Sequence, residues 1–152
     1  MKQKPVSIGV DIGGTHITCA AVRMADDYFS TRWFLNNYQK QSGKEIAGVK
    51  YLAEKAKTDT FAKILFTQFG QNLAECLGPW LRQFEAEMLI IGGNIAHTLP
   101  LFEPSFQEGL KKTGVAIQIA TSHLMENAAL IGSARLMDDV FWEKVSVELP
   151  HI

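Results

Sequence analysis

The chain predicts a single α/β domain with parallel strands, on three observations. From residue 60 onward the hydrophobic periodicity alternates helix, strand, helix, strand, helix, an order that needs parallel strands joined by crossover helices. A continuous apolar run, Met88-Leu-Ile-Ile91, ends abruptly in Gly92-Gly93-Asn94 and reads as a buried strand. At the N-terminus two alternating apolar stretches flank the tight turn Asp11-Ile12-Gly13-Gly14-Thr15, which reads as a β-hairpin.

Taken in order, residues 6–12 form the first strand and residues 16–23 the second. A helix is expected from Ser30 to Gln41, with Ser30 as N-cap and Gly43 as the C-terminal stop. A short helix follows over Val49–Lys57. Asp59 or Thr60 then caps a long helix to about Phe84. Its apolar positions are Ile64, Leu65, Phe69, Leu73, Cys76, Leu77, Trp80 and Leu81, at three- and four-residue spacing. Gly78-Pro79 is expected to kink or break it. After the Met88–Ile91 strand come a helix over Leu101–Lys112 with Gly114 just past its end, a strand over Val115–Ala120, and an Ala-rich helix over Leu124–Met137. The expected domain spans 1–137, leaving a tail, 138–152. That tail carries Val140, Phe141, Trp142, Val145 and Val147 and is apolar enough to dock on the body.

Composition narrows the function classes. At 152 residues, 47% apolar and 20% charged, the chain is globular and the size of one ordinary domain. A net charge of −1 argues against a nucleic-acid partner. No apolar run approaches the roughly 20 residues of a membrane span. Asp11 interrupts the only N-terminal apolar segment, so no signal peptide is expected. Cys19 and Cys76, in a strand and a helix pattern, read as small buried hydrophobes of a cytoplasmic protein. Trp33, Trp80 and Trp142 read as core.

Two motifs carry chemistry. In Asp11-Ile12-Gly13-Gly14-Thr15 the glycines let backbone N–H groups approach a phosphate chain, Thr15 adds a hydroxyl donor, and Asp11 at a strand end can hold magnesium through water. An ordinary hairpin turn is the alternative. Gly92-Gly93-Asn94 stands at the carboxyl end of a central strand, where α/β sheets bind ligands; a plain strand-to-helix turn is the alternative there. Gly43-Lys44 is not a Walker loop, because Glu45 stands where Ser or Thr is required. His16, His97, His123 and His151 are widely spaced and no Cys-x-Cys or Cys-x-x-Cys occurs, so no zinc site is expected. Asp26-Asp27 reads as a helix-start or loop feature.

The stretch IGVDIGGTHITCAAV resembles the first phosphate motif of ROK-family proteins (repressors, open reading frames and sugar kinases), within the actin-like, sugar-kinase and Hsp70 superfamily. DYFSTRWFLNNYQKQSGKEIAGVKYLAEKAKTD, FGQNLAECLGPWLRQFEAEMLIIGGNIAHTLPLF and ENAALIGSARL are similar to the C-terminal half of a ROK sugar kinase of the glucokinase type. Together they cover about residues 6–136. The resemblance implies one ribonuclease-H-like sheet, as in actin-like ATPases, of about four strands. The phosphate hairpin (6–23) would join the C-terminal-half segment (28–137), with the first strand beside Met88–Ile91. It implies ATP and magnesium as ligands. Asp11, Gly13, Gly14 and Thr15 would serve the phosphates, Asp11 the metal, and Gly92, Gly93 and Asn94 the nucleotide side.

The family's middle region has no counterpart in this sequence. There is no Asn-Asp pair to supply the sugar-activating base, no Glu-x-Gly-His sugar contact and no Cys-rich zinc motif. No residue is therefore assigned a catalytic role. The expectation is a sugar-kinase-like protein without sugar phosphorylation and with weak nucleotide or phosphate binding. The alternatives are a non-catalytic self-associating module and a non-functional deletion fragment. A sugar ligand is not expected. The second hairpin strand would be an open sheet edge, from which a homo-oligomer is expected. A repressor is disfavoured, because the about five residues before the first strand leave no room for a helix-turn-helix.

Overall fold

The computed structural model describes residues 7–11 and 28–122. Strand β1 (Ser7–Asp11) is followed by helices α1 (Thr31–Ser42), α2 (Val49–Lys55) and α3 (Thr60–Gln83). Then come β2 (Met88–Gly92), a 3-10 turn (Asn94–Thr98), α4 (Leu99–Lys112) and β3 (Gln118–Thr121). The sheet is parallel with order β1-β2-β3. Ser7 stands opposite Met88 and Asp11 opposite Gly92, so the expected pairing of the first strand with Met88–Ile91 is present. The second hairpin strand (16–23), the helix expected over Leu124–Met137 and the tail lie outside the described residues, as do Cys19, Trp142 and Asp26-Asp27.

Each helix begins and ends where its chemistry dictates. The Ser30 side chain accepts from the Trp33 N–H, and Gly43 closes α1 in the left-handed region, its N–H donating to Gln39 O. Asp59 caps α3, accepting from the N–H groups of Phe61 and Ala62 at 2.8 and 3.2 Å. Helix α3 runs unbroken through Pro79, so of the expected kink or break the break does not occur. Buried Leu77 and Leu81 on either side of the proline hold the turn against the core, which outweighs one missing backbone hydrogen bond.

The C-termini of α3 and α4 share one motif. In α4, Val115 N–H reaches Leu110 O and Gly114 N–H reaches Lys111 O, with Gly114 at φ 76°. In α3, Ala86 N–H reaches Leu81 O and Glu85 N–H reaches Arg82 O, with Glu85 at φ 50°. Both are Schellman closures. The first explains why the last strand starts at Gln118 rather than at the expected Val115: Val115 is consumed in ending the helix. The start of α4 also differs, two residues earlier than expected, because Pro100 sits in the first turn, where its missing N–H is harmless.

The core is built around α3. Ala62, Leu65, Phe66, Phe69, Leu73, Leu77 and Leu81 are buried, at helical spacing. Ile64, Cys76 and Trp80, expected in that stripe, are exposed; a stripe that wide exceeds the arc α3 turns toward its neighbours. Phe69 is the hub. Its ring lies 4.8 Å from Phe34 of α1 and 4.9 Å from Phe102 of α4. Trp33 is buried beside it, as expected.

Helices α3 and α4 meet along small residues. A Cβ on Gly70 would sit 2.2 Å from Ser105 Oγ, one on Gly109 2.5 Å from Ala74 Cβ, and one on Gly78 2.8 Å from Thr113 Oγ1. Gly70, Ala74 and Gly78 thus face Ser105, Gly109 and Thr113 in the same order, so the helices run parallel, as successive crossover helices must. Leu89 and Ile91 of β2 join this core, with neither exposed.

Candidate functional site

The parallel register brings the carboxyl ends of β1 and β2 together, with Asp11 directly across from Gly92. This is where open α/β sheets bind ligands. Gly92 and Gly93 are buried and Asn94 is exposed. Gly93 has φ 77° and ψ 176°, a region open essentially to glycine alone, so the turn out of β2 needs glycine here. Asn94 then opens the 3-10 turn, which Ala96 N–H and Thr98 Oγ1 close by donating to Gly93 O and Ile95 O.

Beyond this turn lies an open cleft of about 810 Å³ between α2 and the start of α4. Asn94, Ile95, His97 and Leu101 line one side; Lys50, Tyr51, Glu54 and Lys57 line the other. The volume falls in the range of small-molecule sites, about 300–1,000 Å³. Tyr51 and Leu101 leave apolar surface in water, at 55% and 36% exposure. Two lysines can offset an anion, and an exposed aromatic ring can stack on a planar group. Among the described residues lining the cleft, Glu54 is the sole carboxylate.

Helix α2 is held in place from both ends. The Tyr38 hydroxyl donates to Asp59 Oδ2 at 2.7 Å, tying the end of α1 to the cap of α3 across the segment that carries α2. Val49 and Leu52 bury the inner side of α2 and leave Lys50, Tyr51 and Glu54 toward the cleft. The hydrogen bond to Asp59, then burial and the carboxylate's charge, raise the Tyr38 phenol above its usual value. The same bond, then the N–H groups of Ala62 and Phe61, lower the Asp59 carboxyl.

The structure therefore places Asn94 on the wall of a cleft, directly after the buried Gly92 and Gly93, with Asp11 across from Gly92 in register. Gly13, Gly14 and Thr15 lie outside the described residues. Sequence reading missed Lys50, Tyr51, Glu54, Lys57 and His97. Their only signal was the outward face of an amphipathic helix, which does not say what that face looks at. Among the described residues, no group of three or more His, Cys, Asp or Glu could hold a metal ion, and no helix is long and apolar enough to cross a membrane.

Comparison with known proteins bears on this arrangement. A ROK-family protein from Streptococcus pneumoniae, solved with sucrose, superposes with a TM-score of 0.68 at 15% identity, covering 92% of this chain and 59% of its own. A ROK glucokinase from Streptomyces griseus, solved with glucose and AMPPNP, gives 0.66 at 16% identity, covering 86% and 59%. This chain has the fold of the ROK sugar kinases. The ROK hexokinase from Thermus thermophilus gives 0.66 at 12% identity, covering 84% and 55%. By sequence, the N-acetyl-D-glucosamine kinase of Pectobacterium carotovorum is 28% identical over 90 residues, 59% of this chain and 30% of that enzyme. No family model matches. The chain thus spans under a third of that curated kinase and somewhat over half of these three solved ROK proteins.

Proposed function

We propose that the chain is a ROK-type module that binds a nucleotide at the carboxyl ends of β1 and β2 and does not phosphorylate sugar. The cleft beside Asn94 carries this reading. Its Tyr51 and Leu101 surfaces suit the planar base of a nucleotide, and Lys50 and Lys57 suit its charge. Asp11, whose backbone is in register with Gly92, would hold magnesium through water, and Gly13, Gly14 and Thr15 come just after it in sequence. Magnesium would draw the phosphates toward the strand ends and screen their charge.

Sugar phosphorylation needs a further group that takes the proton of the acceptor hydroxyl. The Asn-Asp pair that would supply it is absent from the sequence. A second reading, self-association, rests on the sequence: the second hairpin strand (16–23) would be an open sheet edge available to another chain.

Calorimetry on the full chain with Mg·ATP tests the proposal. Binding is expected, and Tyr51→Ala or Asn94→Ala should weaken it by about tenfold, roughly 1.4 kcal/mol. No binding at millimolar nucleotide refutes it. Release of ADP dependent on glucose or N-acetylglucosamine would instead establish a working kinase.

A further inference from the structure

A further apolar feature lies at the end of the sheet away from the cleft. Trp80 and Phe84, one turn apart at the end of α3, stack with ring centroids 6.4 Å apart and planes 19° from parallel. Both face water, at 50% and 51% exposure. An isolated exposed aromatic is ordinary, whereas two stacked rings form contiguous apolar surface that a partner segment can cover.

We propose that this pair is the docking site for the chain's own C-terminal segment, residues 138–147. The first argument is reach. Strands β2 and β3 run parallel, from the end of the sheet where α3 finishes toward the cleft. The described chain therefore stops at Ser122 on the cleft side. The helix expected over Leu124–Met137 is about 21 Å long at about 1.5 Å per residue. A five-residue strand such as β2 is about 16 Å long. A helix of that length would suffice to return the chain to the Trp80–Phe84 end, with Val140, Phe141 and Trp142 next in the sequence.

The second argument is charge. Arg82 donates to Thr113 O at 3.3 Å, which fixes the ends of α3 and α4 side by side. Arg82, Lys111 and Lys112 gather there, with Lys112 paired to Glu108 at 3.0 Å, and Glu85 and Glu87 on the connection to β2. The segment itself brings Asp138, Asp139 and Glu143 around its aromatic pair. Arg82 and Lys111 offer cationic partners to the acidic residues that bracket Phe141-Trp142, among the opposing charges of Glu85 and Glu87.

The test uses the full chain. With a benzophenone amino acid at position 142, irradiation should link that residue to the peptide holding Trp80 and Phe84 within one molecule. A link to the same peptide of an isotope-labelled second copy overturns the proposal in favour of a dimer, and the absence of any link to that peptide overturns it outright. As an independent readout, acrylamide quenching is compared between Trp142→Phe and Trp142→Asp chains. Only Trp33 and Trp80 then emit, and Trp33 is buried. Quenching should rise and emission shift red in the Asp variant, with far-UV circular dichroism unchanged. Equal quenching refutes the docking.

Discussion

Replacing Gly70 by Ala sets two effects of similar size against each other. Alanine is the better helix former by about 1 kcal/mol, which alone would stabilise the 24-residue α3. The added Cβ would stand 2.2 Å from Ser105 Oγ, 2.4 Å from Phe102 O and 2.9 Å from Phe106 N. The Ser105 side chain can turn away, but the other two atoms are α4 backbone, so the whole helix must retreat. Overpacking of this kind costs about 1–3 kcal/mol, and the upper end applies where the obstacle is main chain. A net loss of about 1–2 kcal/mol remains after the propensity gain, or roughly 2–8 °C in Tm for a chain of this size. Gly109→Ala meets only the Ala74 Cβ at 2.5 Å and Gly78→Ala the Thr113 side chain at 2.8 Å, so their losses should be smaller, in that order. Thermal melts of the three variants check the ranking. A neutral or stabilised Gly70→Ala protein would show that α3 and α4 do not meet along this seam.

The other predictions are as follows. Glu85→Gly should raise stability by up to about 1 kcal/mol, because it relieves a left-handed residue, worth about 1–2 kcal/mol, at the backbone-entropy cost of glycine; urea midpoints read it. Gly93→Ala should destabilise by about 1–3 kcal/mol and weaken nucleotide binding in calorimetry, since φ 77° with ψ 176° suits no side chain. Tyr38→Phe should change the pH profile of stability at both ends. The Asp59 carboxyl is lowered in the fold, so its contribution is present above about pH 4 and is lost as pH falls through the folded value. The Tyr38 phenol is raised, so its contribution is complete below about pH 10 and is lost as pH rises through the folded value. The Phe variant should lose the alkaline limb and lessen the acid one, as followed by melts from pH 2 to 11. An unchanged profile would refute the clamp.

Local chemistry made most elements legible in the sequence. Ser30, Gly43 and Asp59 announce their helix ends through side-chain or backbone geometry that acts over three or four residues. What sequence reading got wrong depended on distant partners. Cys76, Ile64 and Trp80 have the spacing of a buried stripe, yet α3 has neighbours on only part of its circumference. Pro79 survives inside a helix because packing on either side decides the matter. Val115 looks like a strand residue until the Schellman bond to Leu110 O claims it. The candidate site divides in the same way. Gly92-Gly93-Asn94 is written as a motif, whereas the wall carrying Lys50, Tyr51 and Glu54 faces it only through a long-range fold.

The core explains how residues 28–122 hold together as a unit. The hub of Phe34, Phe66, Phe69 and Phe102 draws every ring from within residues 28–122. The Tyr38–Asp59 clamp and the seam between α3 and α4 do so as well. Each buried phenylalanine contributes about 1.5–3 kcal/mol relative to exposure, comparable with a sizeable part of the about 5–15 kcal/mol that stabilises a domain. The N-terminal stretch adds one strand, β1, whose register puts Asp11 beside Gly92. Loss of β1 should therefore affect the phosphate end before it affects the α2 wall. A variant disrupting β1 pairing, Val10→Pro, should keep helical circular dichroism while losing magnesium-dependent nucleotide affinity. Simultaneous loss of both signals would show that the cleft and the strand are one cooperative unit.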